Sequence, residues 1–321
     1  MKKTICVLLA LLLAAGVFSG CTSQNQTGAK KSIVVTVFPI YDWVMNLLGD
    51  AADEWDVTFL LDDGVDLHSY QPTAQDMVKI AACDVFLYVG GTSDAWVADA
   101  RKGAVNPNQQ AINLIEILGS GAKEEELVEG MQAEEAEEDG EETEYDEHVW
   151  LSLKNAELFV STIAETLSAI DRENAALYGA NALNYLQALS ALDAEYSAMV
   201  AAAKRTTVLF GDRFPFRYLT DDYGLTYYAA FVGCSAEAEA SFETVIFLAG
   251  KVDELDLPVV LTLEGTDHSL ARTIIGNTNA KTTQIVTINS MQSTTAKDTE
   301  AGQTYLGIME QNLEALRQAL N

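Results

Sequence analysis

Apolar runs with strand character alternate with helix-patterned segments in two separate sets along the chain. The first set has strands at 32–38, 57–61, 85–89 and 111–115, with helices at 41–48, 73–82 and 92–102. The second set has strands at 207–210, 226–231, 259–263 and 284–288, with helices near 214–222, 242–255, 269–276 and 301–320. Strands that are apolar throughout and separated by helices form parallel sheets covered on both faces. The sequence therefore predicts an α/β fold of two lobes, each with a mostly parallel sheet flanked by helices.

A segment rich in alanine and leucine separates the two sets. Seven of its residues recur at spacings of four and three: Tyr178, Ala182, Tyr185, Leu189, Leu192, Tyr196 and Met199. This period predicts one helix over 171–203, with Asp171 as its N-cap. At 1.5 Å per residue the helix is about 45 Å long, more than the width of one lobe. We therefore expect a rigid connecting helix at 171–204 between an N-terminal lobe at 32–170 and a C-terminal lobe at 205–321. Ligand binding should then cause small lobe shifts rather than a wide hinge closure.

The segment 1–21 has the layout of a secretory leader. Two lysines precede an apolar run at 5–18, and small residues lead to Cys21. The apolar run is too short to cross a bilayer as a mature helix, and a cysteine at this place is typical of a bacterial lipobox. We expect lipidation of Cys21, a polar tether at 22–31, and a location on the extracytoplasmic face of a bacterial cell membrane. Ordinary secretion with a chance cysteine is the alternative.

The chain is strongly acidic, with a formal net charge of −29 at pH 7. Removal of the leader, which contains Lys2 and Lys3, brings the mature chain to −31. A charge of this sign and size excludes nucleic acid as a natural partner and favours cations. Acidic residues are concentrated at 123–147, where 14 of the last 24 residues are Asp or Glu. This composition predicts a disordered loop that either collects cations or only solvates the surface.

Only three histidines occur in the chain, so their positions are informative. His68 lies in the run DLHSYQPT at 66–73, shortly after a predicted strand, and His148 begins the run HVWL at 148–151. Ligands of open α/β sheets bind outside the carboxyl ends of the strands, where both histidines can meet. Each imidazole can offer a nitrogen at about 2.0–2.1 Å to a metal ion. The motifs predict a metal site in a cleft between the lobes, and a purely structural role for each histidine is the alternative.

Together, the histidine motifs, the leader with Cys21, the acidic insert, the long helix and the second α/β lobe resemble the TroA-like group. This group comprises the zinc/manganese-type solute-binding lipoproteins of ABC transporters, and the resemblance extends over essentially the whole mature chain. It implies a monomeric carrier, not an enzyme, that captures a divalent metal and delivers it to a membrane permease. The Irving–Williams order favours Zn²⁺ over Mn²⁺ at a site of histidines and carboxylates. We therefore expect Zn²⁺ as the bound metal, with Mn²⁺ second.

The second lobe departs from the pattern of this group. Its members place a His or Glu ligand before an aromatic helix that leads to Tyr-Gly-Leu, and here that position is Arg213, which cannot bind a cation. Asp212 is the nearest donor, and a further Asp position of the group falls on Asn289, a weak neutral ligand. Glu264 and His268 follow a predicted strand and are nearby substitutes. The resemblance, with these substitutions, gives the predicted metal ligands His68, His148, Asp212 and His268, with Glu264, Asn289 and Arg213 as alternative or supporting groups.

Each substitute has a structural alternative. Asp212 can form a salt bridge or a cap beside Arg213, and His268 can be an exposed residue at a helix end. Arg213 and Glu264 can also pair with each other and orient groups around the metal.

Two further thiols, Cys83 and Cys234, remain in the mature chain beside Cys21. They are too few for a disulfide framework, so we expect both to be small buried residues. A soft thiolate ligand from Cys234 is the less favoured alternative.

Two other functions compete with metal transport. The same fold could carry a small organic or anionic solute anchored by Arg213, because the guanidinium recognises carboxylates and phosphates. A secreted metalloenzyme is the less favoured alternative, since the chain contains no His-Glu-x-x-His helix, no Gly-x-Ser-x-Gly turn and no glycine-rich phosphate loop before a helix.

Overall fold

The computed structural model describes residues 30–132, 144–235 and 239–321. The predicted leader with Cys21, most of the tether and the most acidic part of the predicted loop therefore lie outside the described residues. Within the described ranges, no helix combines the length and the hydropathy that crossing a membrane requires.

Strands and helices alternate along the chain. The strands are β1 (Lys31–Val35), β2 (Trp55–Phe59), β3 (Val85–Tyr88), β4 (Gln110–Asn113), β5 (Thr207–Phe214), β6 (Thr226–Val232), β7 (Val259–Leu263) and β8 (Gln284–Ile288). The helices are α1 (Phe38–Leu48), α2 (Ala74–Ala82), α3 (Val97–Lys102), α4 (Leu114–Leu118), α5 (Leu153–Ile170), α6 (Ala175–Ala202), α7 (Arg217–Tyr223), α8 (Phe242–Glu254), α9 (Ser269–Gly276), α10 (Ala296–Glu300) and α11 (Tyr305–Leu320).

The strands form two sheets, in the orders β2-β1-β3-β4 and β6-β5-β7-β8. The pairs β1–β3, β3–β4, β5–β6, β5–β7 and β7–β8 are parallel. Every residue of β3 and of β7 is buried, because helices cover both faces of each sheet. The predicted α/β fold is thus confirmed. In each sheet the chain adds strands first on one side of the starting strand and then on the other, which creates a crevice at the carboxyl ends.

Helix α5 begins just after the run that His148 opens. Its N-cap is Ser152, whose Oγ accepts a hydrogen bond from Asn155 N at 3.0 Å. The predicted N-cap of the long helix is wrong, because Asp171 ends α5 and α6 begins after Asn174. Asp171 instead accepts a hydrogen bond from Tyr178 OH at 2.7 Å. The last predicted helix, at 301–320, corresponds to α11, and the short helix α10 precedes it.

The buried face of α6 is the face that the spacing predicts. Its buried residues are Tyr178, Ala182, Tyr185, Leu189, Leu192, Tyr196 and Met199. In the N-terminal half of the helix, Tyr178 OH accepts a hydrogen bond from Trp55 Nε1 of β2 at 2.9 Å. In the C-terminal half, Tyr196 OH donates to Met309 O of α11 at 2.6 Å. The helix therefore packs against both lobes, as a rigid connector must.

The two lobes also share an apolar core. One cluster of buried apolar side chains includes Val35 of β1 and Leu261 of β7. Hydrogen bonds cross the same interface, since Trp150 Nε1 donates to Ser290 O at 2.9 Å and Tyr305 OH donates to Trp150 O at 2.7 Å. This interface holds loops of both sheets next to each other.

Candidate metal centre

His68 lies in a single 3₁₀ turn, Leu67–Ser69, in the segment that follows β2. Asp66 caps this turn, because its Oδ1 accepts a hydrogen bond from His68 N at 3.0 Å. The ring Nδ1 of His68 is 2.8 Å from Ser93 Oγ and 3.4 Å from Glu147 Oε2. These contacts occupy Nδ1, which leaves Nε2 as the nitrogen that can bind a metal.

His148 is fully buried and precedes the turn Val149–Leu151. Asp146 Oδ1 accepts a hydrogen bond from His148 N at 2.8 Å and lies 2.9 Å from the ring Nδ1. Burial alone lowers the pKa of this imidazole, but the nearby carboxylates of Asp146, Glu125 and Glu147 outweigh burial and raise the pKa. A carboxylate at Nδ1 orients the ring and increases the basicity of Nε2, which is the usual arrangement of a metal-binding histidine.

The Nε2 atoms of His68 and His148 are 3.2 Å apart. Two imidazole nitrogens that bind one tetrahedral zinc ion at about 2.0–2.1 Å lie about 3.3 Å from each other. The two histidines that the sequence singles out are thus held at the separation that a shared ion requires. Their role as ligands stays a prediction.

Cys234 is the third candidate metal ligand that the structure brings to this place. It follows β6, and its Sγ lies in a group with one ring nitrogen of each histidine, whose members are all within 4.8 Å of one another. Among the described residues, neither Asp212 nor His268 belongs to such a group. Burial and the carboxylate of Glu125 raise the pKa of the Cys234 thiol well above its usual range, so a bound cation would be needed to hold the thiolate.

The two cysteines differ in their environments. Cys83 is buried, as predicted, and its Sγ donates to Ile80 O at 3.2 Å. The prediction of a buried Cys234 is wrong, because this residue is partly exposed in the turn after β6.

Asp212 and His268, the other two predicted ligands, line a neighbouring cavity of about 600 Å³. Asp212 accepts hydrogen bonds from Arg213 N at 3.0 Å and from Leu263 N at 3.2 Å, so its carboxylate links β5 to β7. His268 is the N-cap of α9, and its Nδ1 is 3.3 Å from Thr266 Oγ1. The structure therefore does not bring these two side chains to the imidazole pair.

Arg213, at the position where the resemblance places a ligand, bridges the lobes. Its Nη2 is 2.9 Å from Asp66 Oδ2, and its Nη1 donates to Ser235 O at 3.3 Å. The predicted pair of Arg213 with Glu264 is wrong. Glu264 instead accepts hydrogen bonds from Ser290 N and Oγ at 2.8 and 2.7 Å.

Asn289 and Gln292 lie on the loop after β8. Asn289 Oδ1 accepts a hydrogen bond from Met291 N at 2.7 Å, so this amide is used within its own loop. The amide of Gln292 is 2.9 Å from His148 Nε2. With its oxygen directed at His148, its nitrogen donates to Asp66 Oδ1 at 3.0 Å. Sequence reasoning misses Gln292, because only the path of the loop brings it to the histidine.

The fold and the site together define a class of protein. Two α/β lobes on one long helix, with paired imidazoles where loops of both lobes meet, are the architecture of the TroA-like solute-binding proteins. The family model described as ZnuA, zinc-uptake complex component A, periplasmic, matches residues 33–319, and the chain belongs to this family.

Two curated relatives illustrate the similarity. The zinc-binding lipoprotein AdcA of Streptococcus pneumoniae serotype 4 is 32% identical over 320 residues, which are 98% of this chain and 61% of that protein. The chain therefore spans about three fifths of the length of this relative. The high-affinity zinc uptake system protein ZnuA of Bacillus subtilis is 28% identical over 319 residues, which are 98% of this chain and 96% of that protein.

Solved structures have the same fold. The Zn(II)-bound ZnuA-like domain of Streptococcus pneumoniae AdcA has a TM-score of 0.70 and 28% identity, covering 91% of this chain and 99% of that one. The periplasmic zinc-binding protein TroA of Treponema pallidum has a TM-score of 0.72 and 22% identity, covering 91% of this chain and 99% of that one. At this identity the second match shows the fold alone.

Proposed function

We propose that this protein captures a divalent transition metal, Zn²⁺ first and Mn²⁺ second, and delivers it to the permease of an ABC importer. The observation that carries the proposal is the pair of Nε2 atoms of His68 and His148, 3.2 Å apart at the meeting point of the two lobes. Carboxylates of Glu147 and Asp146 lie at the two Nδ1 atoms, at 3.4 and 2.9 Å. Such an arrangement fixes both rings for metal binding.

The donor chemistry favours zinc. Imidazole is a ligand of borderline hardness, whereas manganese prefers carboxylate and water oxygens, and the Irving–Williams order ranks Zn²⁺ above Mn²⁺ for nitrogen donors. The two relatives support the same metal, since one is named a zinc-binding lipoprotein and the other a zinc uptake protein.

The competing functions have less support. An anionic solute would need a free guanidinium, but Arg213 is already paired with Asp66 at 2.9 Å. An enzyme would need a reacting group beside the metal, and both histidines are used as candidate ligands. A carrier, not an enzyme, is also what membership of a zinc-uptake family favours.

The partner and location follow from the same proposal. The carrier would dock on the permease of its importer at the extracytoplasmic face of the membrane. A lipid on Cys21 would anchor the protein to that membrane. The carrier would act as a monomer.

The proposal is tested by titration of the chelator-stripped mature protein with Zn²⁺ and, separately, Mn²⁺ in a calorimeter. We expect one stoichiometric site that binds Zn²⁺ more tightly than Mn²⁺. His68→Ala and His148→Ala should each weaken Zn²⁺ binding by more than the roughly 10–100-fold that loss of an outer-sphere partner costs. His268→Ala is the matched control and should bind like the unchanged protein, because its ring lies apart from the pair. Unchanged affinity in both of the first two variants would refute the proposal.

A further inference from the structure

We propose that Cys234 is a metal ligand and that its thiolate is the contribution of the C-terminal lobe to the site. The inference rests on the proposed function and deepens it. Metal binding replaces the thiol proton, which is released, with a metal–sulfur bond.

The first support is the geometry of the three donors. In a tetrahedral zinc site, with sulfur at about 2.3 Å and nitrogen at about 2.0–2.1 Å from the ion, the sulfur and each nitrogen are about 3.6 Å apart. The Sγ of Cys234, one ring nitrogen of His68 and one ring nitrogen of His148 all lie within 4.8 Å of one another. A small movement of the side chain is enough to close the remaining distance.

The second support is that the backbone beside Cys234 passes close to the ring of His148 and is held there by hydrogen bonds. A Cβ at Gly233 would lie 2.9 Å from Cε1 and 3.0 Å from Nδ1 of His148, so only glycine allows the turn to pass this close to the ring. Cys234 N donates to Glu125 Oε1 at 3.0 Å. On the other side, Ser235 O accepts from Arg213 Nη1 at 3.3 Å. The backbone is thus held on both sides of the thiol.

The third support is that β5 carries Arg213 at the expected ligand position, while Cys234 lies at the end of the neighbouring strand β6. The position on β5 where the resemblance places a ligand is Arg213, and its partner on β6 is Phe231. Cys234 comes three residues after Phe231, at the carboxyl end of the adjacent strand. Arg213 in turn holds both Asp66, beside His68, and Ser235, beside Cys234. Arg213 is therefore a positioning residue for the two ligand-bearing segments.

A thiolate has a consequence for metal choice. Soft sulfur ligands favour Zn²⁺ strongly over Mn²⁺, more than a third imidazole or a carboxylate does. Because His68 and His148 belong to the N-terminal lobe, a metal bound by Cys234 would also link the lobes. Separation of the lobes on the permease would then break the metal–sulfur bond.

The test is the absorption spectrum of the cobalt-substituted mature protein. A thiolate bound to Co²⁺ gives an intense near-ultraviolet charge-transfer band that imidazole and carboxylate ligands do not give. We expect this band in the unchanged protein, its loss in Cys234→Ser, and its retention in Cys83→Ser, which removes a buried thiol elsewhere. Cys234→Ser should also weaken Zn²⁺ binding more than tenfold and lower the ratio of Zn²⁺ to Mn²⁺ affinity.

The two proposals fail in different ways. A Co²⁺ complex that depends on His68 but has no charge-transfer band would overturn the cysteine ligand and leave the metal carrier standing. No His68-dependent complex at all would overturn the carrier itself.

Alkylation provides a measurement that needs no variant. Saturating Zn²⁺ should protect Cys234 from iodoacetamide in the unchanged protein, as measured by peptide mass spectrometry. Equal alkylation of Cys234 with and without bound Zn²⁺ would contradict the inference.

Discussion

Asp42 is a carboxylate in the apolar interior, with 7% of its surface exposed. Its Oδ2 accepts hydrogen bonds from Tyr185 OH at 2.9 Å and from Asn46 Nδ2 at 3.1 Å. Burial raises the pKa of Asp42 to about 6, although the hydrogen bond from Tyr185 acts in the opposite direction. Between about pH 4 and pH 6 the folded protein therefore holds a proton that the unfolded chain releases. The contribution of this group to stability is complete below that window and is lost as the pH rises through it.

Asp42→Asn should remove this pH dependence, because the amide keeps an acceptor for Tyr185 and cannot ionise. Relative to the unchanged protein, the variant should gain up to about 3 kcal/mol in the free energy of unfolding at about pH 8. The gain should shrink towards zero at about pH 4. Urea unfolding at both pH values measures the difference. The exposed Asp53→Asn is the control and should leave the free energy of unfolding unchanged at both pH values. A gain that is the same at both pH values would contradict this account of Asp42.

At the scale of single residues, the sequence was sufficient to single out the histidines but not the proposed third ligand. His68 and His148 lie in motifs whose flanking residues identify them without coordinates. From the sequence Cys234 is only a less favoured ligand; it gains support when the turn after β6 is placed beside His148, an approach that depends on the absence of a side chain at Gly233. Arg213 is a different case, since the resemblance points to this position as a ligand position, and the structure shows its guanidinium paired with Asp66 and Ser235 O.

The long helix α6 is the element on which both lobes pack, and its two faces can be compared directly. Leu189 is fully buried, whereas Leu183 on the same helix is 60% exposed. Leu189→Ala should lower the free energy of unfolding by about 2–5 kcal/mol, because it leaves a cavity in the core. Leu183→Ala should change it by no more than about 0.5 kcal/mol. Urea unfolding of the two variants makes the comparison, and equal effects would show that the two faces of the helix do not differ in packing.

Periodicity predicts elements better than it predicts their ends. The four-three spacing identifies the buried face of α6 because that pattern extends over many turns. The N-terminus of the same helix is misplaced, since Asp171 is a good capping residue that instead ends α5 and binds Tyr178. A local signal cannot distinguish the start of one helix from the end of the preceding one when both lie within a few residues.

At the scale of the whole molecule, the packing between the two lobes opposes large relative motion. Apolar side chains of both lobes belong to one buried cluster, and α6 contacts both. Polar links add to this, as Tyr218 OH of the C-terminal lobe donates to Asp146 O at 3.1 Å and accepts from Lys123 N at 2.9 Å. Opening the lobes widely would expose this apolar surface and leave buried polar groups without partners.

Zinc should therefore change the lobe arrangement little. We expect the small-angle scattering curves of the metal-free and the zinc-saturated mature protein to superimpose, with equal radii of gyration within error. Hydrogen exchange should slow in the segments that carry the candidate ligands, at 66–73, 146–151 and 233–235, because the metal would replace mobile side-chain contacts there. His68→Ala with the same zinc concentration is the control for non-specific binding to the acidic surface, and its exchange should not slow. A clear decrease in the radius of gyration on zinc binding would mean that the shared core opens and closes as a hinge, and the connecting helix would then not be the rigid element that its packing indicates.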